Sequence, residues 1–388
     1  MSSTTLAVPT IQVAKPSLGV EEEKAVLEVL RSGWISQGPK VADFERQFAA
    51  FVGAPHAIAL SSCTTALHLA MVVAGVQEAD EVICPSLSFI ATANAIRYVG
   101  ARPVFVDIDP VTYNLDPERV EAAITPRTKA ILAVHQVGMP AAMNDLGDIA
   151  RRHGVALLED AACAIGSNYM GVRVGHPHSL LACFSFHPRK VLTTGEGGMI
   201  TTADGEIATR LRRLRQHAMS VSDLARHSSS KIVTERYDEV GFNFRMTDLQ
   251  AAVGLVQLGR LPGFLARRRQ RAANYTEALS QTPFFAPPKE PKECESNFQS
   301  YMVRMLDDSP VSRDELMQKL LDRGISTRRG VMAIHREAPY TDGGWDSQLP
   351  QTNLATDSTI ILPIYDQMTD AEQEFVLEAI SETCLQLR

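Results

Sequence analysis

Lys190 lies in SFHPRKVLTTGEGGMI, an amine at the end of the apolar run LLACFSF with Gly195, Glu196, Gly197 and Gly198 within the next ten residues. A primary amine in such a frame is placed where a substrate or cofactor carbonyl can reach it and condense to a Schiff base. A solvated lysine beside an ordinary turn carries the same signature, so its neighbours must decide. In VALLEDAACAIGS an apolar strand pattern ends in two acids, Glu159 and Asp160. An acid at the C-terminal end of a strand can hold a protonated ring nitrogen through a charge-assisted hydrogen bond, or it can simply cap the following helix. The stretch ALSSCTTALHLAM runs from a strand into a helix through Ser61, Ser62, Cys63, Thr64 and Thr65. Unpaired N–H groups and hydroxyls at that point suit a phosphate, and equally a well-capped helix.

These residues need a scaffold that brings strand ends together. Between about residues 40 and 205, short apolar runs (HAIAL, EVICP, PVFVDI, AILAVH, VALLED, ACFSF) alternate with helical patterns such as TTALHLAMVVAG, FIATANAIRYVG, PERVEAAI and LGDIARRHG. That rhythm predicts an α/β fold whose sheet has much parallel pairing and helices on its faces. Ligands collect where such strands end. Residues 237–279 read as helix-rich, with Thr247 as an N-cap. After the proline-rich TPFFAPPKEPKE, the runs YMVRML and IILPIY alternate with helices at SRDELMQKLLDRG and TDAEQEFVLEAISETC, which predicts a smaller α+β domain. The expected division is 1–265 for the large domain with an N-terminal arm, and 266–388 for the small one.

The 388 residues exceed the usual reach of one core, which fits that division. Hydrophobic residues at 45% and charged residues at 21% describe a globular chain. A net charge of −7 gives no general attraction for nucleic acid. No apolar stretch approaches the roughly 18 residues needed to span a bilayer, and the opening MSSTTLAVPTIQVAKPSLG lacks a basic segment joined to a long apolar one, so a cytoplasmic location is expected. Cys63, Cys84, Cys163, Cys183, Cys294 and Cys384 lie far apart without ligand spacing, so reduced thiols and no metal are expected. The only low-complexity piece is around Ser228–Ser230.

Taken in order, RSGWISQGPKVADFE, SSCTTALHLAM, CPSLSFIATANAI, PVFVDID, LLEDAA, SFHPRKVLTTGEGGMI and GFNFRMTDLQAAVGLVQL resemble the DegT/StrS family of sugar aminotransferases. These are fold-type I enzymes that use pyridoxal 5′-phosphate (PLP). The likeness runs from about Gly33 to Tyr365. It implies that Lys190 forms the Schiff base with PLP and that Asp160 pairs with the pyridine nitrogen. Thr64, with the backbone at Cys63 and Thr65, is implied to hold the phosphate, and Ser185 to add a hydroxyl. Phe89 is implied to stack on the ring, and Asn243 to contact the phosphate of a neighbouring subunit's cofactor, giving a homodimer with shared active sites. The implied reaction has two halves. An amino donor, L-glutamate by resemblance, leaves its amine on the cofactor as pyridoxamine 5′-phosphate, and a nucleotide-linked keto-sugar then takes it.

Two positions depart from the family pattern. Cys163 stands where Gln or His often bonds the ring oxygen, and a thiol does this more weakly. Cys63 stands where Gly is common, which tightens the space near the phosphate. The family's 3-dehydratases carry His in place of the lysine, so Lys190 disfavours dehydration. A cyclitol or another ketone is the alternative acceptor, and a sensor that keeps the fold without turnover is the alternative outside catalysis. His135 and His187 read as substrate contacts or as structural groups. Arg328 and Arg329 suit a diphosphate or a donor carboxylate; Gln299, Tyr301 and His335 lie in comparable positions. The basic runs RLRRLRQH and ARRRQR read as solvated helix faces.

Overall fold

The computed structural model describes residues 11–221, 232 and 234–385; the Ser228–Ser230 piece lies outside the described residues. Two helices, α1 (Val20–Ser32) and α2 (Pro39–Val52), come first. The alternating series follows: β1 (His56–Leu60), α3 (Cys63–Val73), β2 (Glu81–Pro85), α4 (Ala91–Tyr98), β3 (Arg102–Val106), α5 (Pro117–Ala122), β4 (Thr128–Val134), α6 (Met143–His153) and β5 (Ala156–Asp160). A short ribbon, β6 (Asn168–Tyr169) and β7 (Val172–Arg173), precedes β8 (Leu181–Ser185), β9 (Gly198–Thr202) and α7 (Gly205–Leu214). The seven-stranded sheet has the order β1-β9-β8-β5-β4-β2-β3. The run from β8 to β3 is parallel, and β9 lies antiparallel to both of its neighbours.

The two-residue period of a strand sends alternate side chains to opposite layers. In β1, Ile58 and Leu60 join the core beneath α3, α4 and α7, whereas Ala57 and Ala59 face the layer where Phe44 and Phe48 of α2 pack. That second layer also takes the next helix, α8 (Asp248–Ser280). Thr247 caps it, accepting from the Gln250 N–H while the Gln250 side chain returns to the Thr247 N–H, a reciprocal capping box.

The helix begins at residue 248, as the Thr247 cap predicts; the preceding residues 237–246, expected to be helix-rich, are corrected. Their backbone bonds laterally instead. Phe242 N–H donates to Leu214, Phe244 N–H to Arg215, and the Phe244 carbonyl accepts from Ser61. The basic runs are corrected too. Arg215 and Arg268 are buried; Arg215 pairs with Glu45 and also donates to the Ala59 carbonyl.

Beyond α8 come β10 (Phe285–Ala286), β11 (Cys294–Glu295), β12 (Tyr301–Met305), α9 (Arg313–Asp322), β13 (Arg328–Arg329), α10 (Pro350–Ser358), β14 (Thr359–Leu362) and α11 (Asp370–Leu385). An antiparallel sheet, β10-β12-β14-β13, covers its own core of Val303, Leu316, Ile360 and Val376. Residue 265 lies inside α8. This helix serves both cores, with Leu261, Phe264 and Leu265 in the first, and Ala272, Tyr275 and Leu279 in the second. Among the described residues, no helix is long and apolar enough to cross a membrane and no cluster suits a metal ion. All six cysteines are unpaired.

Candidate active site

Several parallel strands end at one cavity of about 520 Å³. Asp160 closes β5, Ser185 closes β8, His135 follows β4, and Cys63 and Thr64 open the helix after β1. Carboxyl ends of parallel strands are where open α/β sheets bind ligands. The adjacent acids at 159 and 160 separate here because neighbouring strand residues face opposite ways. Glu159 turns from the cavity and accepts from the Ser179 hydroxyl at 2.6 Å. It also bonds His135 at 2.8 Å through Nε2. Because His135 Nδ1 accepts from the Ala141 N–H at 3.0 Å, Nε2 carries the proton that goes to Glu159. Both ring nitrogens are thus engaged, which makes His135 a structural wall of the cavity.

Asp160 faces inward. One oxygen accepts from the Thr92 hydroxyl at 2.8 Å and the other from the Ala162 N–H at 3.2 Å. Thr92 is itself within 2.7 Å of the Ser88 hydroxyl. Burial pushes the Asp160 carboxyl above the ordinary range, opposed by Thr92, Ala162 and the positive charge of Lys190. Neither Thr92 nor Ser88 was singled out from the sequence. Their only local signal was hydroxyls four apart, Ser88 before α4 and Thr92 in its first turn.

Lys190 Nζ donates to Cys163 Sγ at 3.1 Å. Burial acts to lower the lysine pKa, but Cys163, Cys63 and Asp160 outweigh it, and the amine stays above its usual value. Glycines shape the segment around it. Gly195 has φ +83°, and a Cβ on Gly198 would lie 2.4 Å from the carbonyl carbon and oxygen of Ser62 and 2.7 Å from the Cys63 nitrogen. Only a hydrogen fits between β9 and the start of α3, so glycine at 198 keeps that helix end in place.

At that helix end, the Ser62 hydroxyl accepts from the Thr65 N–H, and the Thr65 hydroxyl donates to the Ser62 carbonyl at 2.8 Å. Thr65 is thereby committed to capping and does not line the cavity, whereas Cys63 and Thr64 do. The N–H groups of Cys63 and Thr64 lie in the first turn, where no intrahelical acceptor exists. Cys63 has its side chain buried in the core under α3. Phe89 lines the cavity and is 64% exposed, presenting an apolar face to it. Helix N–H donors for a phosphate, an exposed ring, a buried acid and an amine make a donor set that fits PLP. Asn243 is exposed, paired through its backbone with Gln216, and does not line this cavity.

The mouth is cationic. Arg189, Arg328 and Arg329 line it and are exposed. Glu196 and His187 also line it, and burial lowers the His187 pKa. Gln299 belongs to the same wall, but Tyr301 and His335 do not. Tyr301 is fully buried against Thr276. His335 bonds Ser86 at 2.7 Å and Asp346 at 3.1 Å. That Ser–His–Asp order has the look of a hydrolytic triad, yet Ser86 is 0% exposed, so the group ties β2 to the segment before α10. Arg189 and Asn297, like Thr92 and Ser88, were left unnoticed in the sequence. Nothing local distinguishes them from surface side chains.

The model of the DegT/DnrJ/EryC1/StrS aminotransferase family matches residues 16–381. The chain is 40% identical over 371 residues, 95% of each protein, to the spore coat polysaccharide biosynthesis protein SpsC of Bacillus subtilis. Among solved structures, the aminotransferase TlmJ of Streptoalloteichus hindustanus has 36% identity and a TM-score of 0.88, with 96% of this chain and 98% of that one covered. The sugar aminotransferase Spr1654 of Streptococcus pneumoniae, described as putative in name and solved in a PMP form, has 28% identity and a TM-score of 0.92 over 98% and 100% of the two chains. The chain belongs to the PLP-dependent DegT/DnrJ/EryC1/StrS aminotransferase family, in which its homologues are sugar aminotransferases.

Proposed function

We propose that this sugar aminotransferase moves the amine of L-glutamate to a keto-sugar carried on a nucleotide diphosphate, using PLP bound at Lys190. The observation that carries the reading is the meeting of Lys190, Asp160 and three arginines in one cavity. When bound, PLP supplies an electron sink for the charge that develops at the donor's α-carbon. The Cys63 and Thr64 N–H groups, the Thr64 hydroxyl and Ser185 would hold the phosphate, and Phe89 would offer its ring as an apolar face. Asp160, fixed by Thr92 and Ala162, would meet the ring nitrogen and, as a carboxylate, favour its protonated form. Lys190, as a free amine in the same cavity, would be the base that takes up and returns the proton of the donor's α-carbon.

At the mouth, Arg189, Arg328 and Arg329 have no carboxylate partner among the described residues, whereas Arg260, Arg267, Arg271 and Arg336 are all in ion pairs. Guanidinium groups left unpaired suit the diphosphate of the acceptor and the carboxylates of the donor. In this reading residues 266–388 form a small domain that brings Arg328 and Arg329 to the mouth. Two copies assemble in the cytoplasm, with Asn243 of one completing the phosphate site of the other. The test adds glutamate to the PLP-loaded protein, then a panel of nucleotide-linked keto-sugars and keto-cyclitols. The account expects the absorbance of lysine-bound cofactor to vanish with glutamate and an aminated nucleotide sugar to form. Persistence of that band, or amination of cyclitols alone, overturns it.

A further inference from the structure

Asn297 is fully buried in the loop that enters β12. Its carboxamide nitrogen donates to the carbonyls of Cys163 at 2.8 Å and Ile165 at 2.9 Å, and its oxygen accepts from the Gln299 N–H at 2.8 Å. Two residues on, Gln299 Nε2 donates to the carbonyl of Arg189 at 3.0 Å. One short stretch thus grips both segments that meet at the contact between Lys190 Nζ and Cys163 Sγ.

The stretch is itself held under strain. Phe298 sits at φ +46° and Val137, across the loop, at φ +50°. Non-glycine residues in the left-handed region cost on the order of 1–3 kcal/mol each and persist only where the surroundings enforce them. At Phe298 the loop is held by Arg268, which donates to the Phe298 and Gln299 carbonyls at 3.2 Å each, and the Val137 carbonyl accepts from the Ser300 N–H. Burial lowers the Arg268 pKa to about 10, so it remains a cation at neutral pH. On the other side, the Asn297 oxygen occupies the space a Cβ would need at Gly138, only 2.0 Å away.

We infer that Asn297 and Gln299 are positioning residues for the cofactor lysine: together they fix the backbone at Cys163 and Arg189 and thereby set where the Lys190 amine sits. The inference rests on the reading of Lys190 as the cofactor lysine. With both flanking segments fixed, the freedom left to the amine lies in its own side-chain torsions. Small misplacements of a reacting group are costly in rate.

The test uses Asn297→Asp, which replaces both N–H donors by an acceptor, and Gln299→Ala, at a half-buried site. Each cofactor-free protein is mixed with PLP alone. The capture rate and the pH midpoint of the lysine-bound band are recorded with the melting temperature. Capture slower by about tenfold or more is expected for Asn297→Asp, and by about threefold for Gln299→Ala, each with a shifted midpoint. Wild-type rates and midpoints, even with a lowered melting temperature, overturn the inference by reducing the bracket to packing. If Asn297→Asp fails to fold, Gln299→Ala decides alone. A band that survives in Lys190→Ala marks failure of the lysine assignment instead.

Discussion

At the deep end of the cavity, Asp160 is 5% exposed and both of its oxygens have donors; at the mouth, Arg189, Arg328 and Arg329 stand exposed without a carboxylate partner among the described residues. The difference follows from solvation. A buried charge must be satisfied inside the free protein, so the cofactor end is built before any ligand arrives. An exposed guanidinium is satisfied by water and can wait for an anion. The deep end is therefore expected to respond to substitution through chemistry, and the mouth through affinity.

The sharpest way to break this contrast is Asp160→Asn. It removes the charge beside the cofactor and is expected to lower kcat by about 10³-fold. The folded carboxyl has a raised pKa, so the stability linked to its protonation is complete below its unfolded value of about 3.9 and is lost as pH rises through the folded value. The cofactor-free wild type is thus expected to lose melting temperature relative to Asp160→Asn over that window. A difference that does not change with pH contradicts a buried, ionising Asp160.

Gly198→Ala comes next, since its Cβ would press on the Ser62 backbone. Cofactor affinity is expected to fall by about tenfold, roughly 1.4 kcal/mol, with a lower melting temperature. Equilibrium dialysis against PLP checks this.

Arg328→Ala and Arg329→Ala probe the mouth. Each is expected to raise KM for the nucleotide sugar by about tenfold, leaving the rate of cofactor capture within about twofold. An equal loss in cofactor capture would erase the proposed division. The smallest effect is expected from Cys163→Gln, which introduces one of the two residues that the family resemblance implies there and should change kcat by no more than about threefold, read from steady-state rates.

These two ends were also unequally legible. Asp160 stands at the end of an apolar strand, and Lys190 and the SSCTT turn follow strand patterns, so local sequence carried their placement. The donor that fixes Asp160 lies 68 residues away at Thr92, and no local pattern joins the two. Charge runs misled for the same reason. Whether an arginine is solvated or buried depends on partners such as Glu45 for Arg215 and the loop carbonyls for Arg268. The cap of α8 at Thr247 was legible, but residues 237–246 before it, read as helix-rich, spend hydrogen bonds on neighbouring segments instead. The N-terminal α1 was passed over although its partly buried face packs on α8 through Glu22, Gln257 and Arg260.

The central claim is that Lys190 is the amine that holds the cofactor. Borohydride reduction of the PLP-loaded protein, followed by peptide mass mapping, tests it most directly. The account predicts one phosphopyridoxyl group per chain, on Lys190; a label on another lysine, or none, would contradict it.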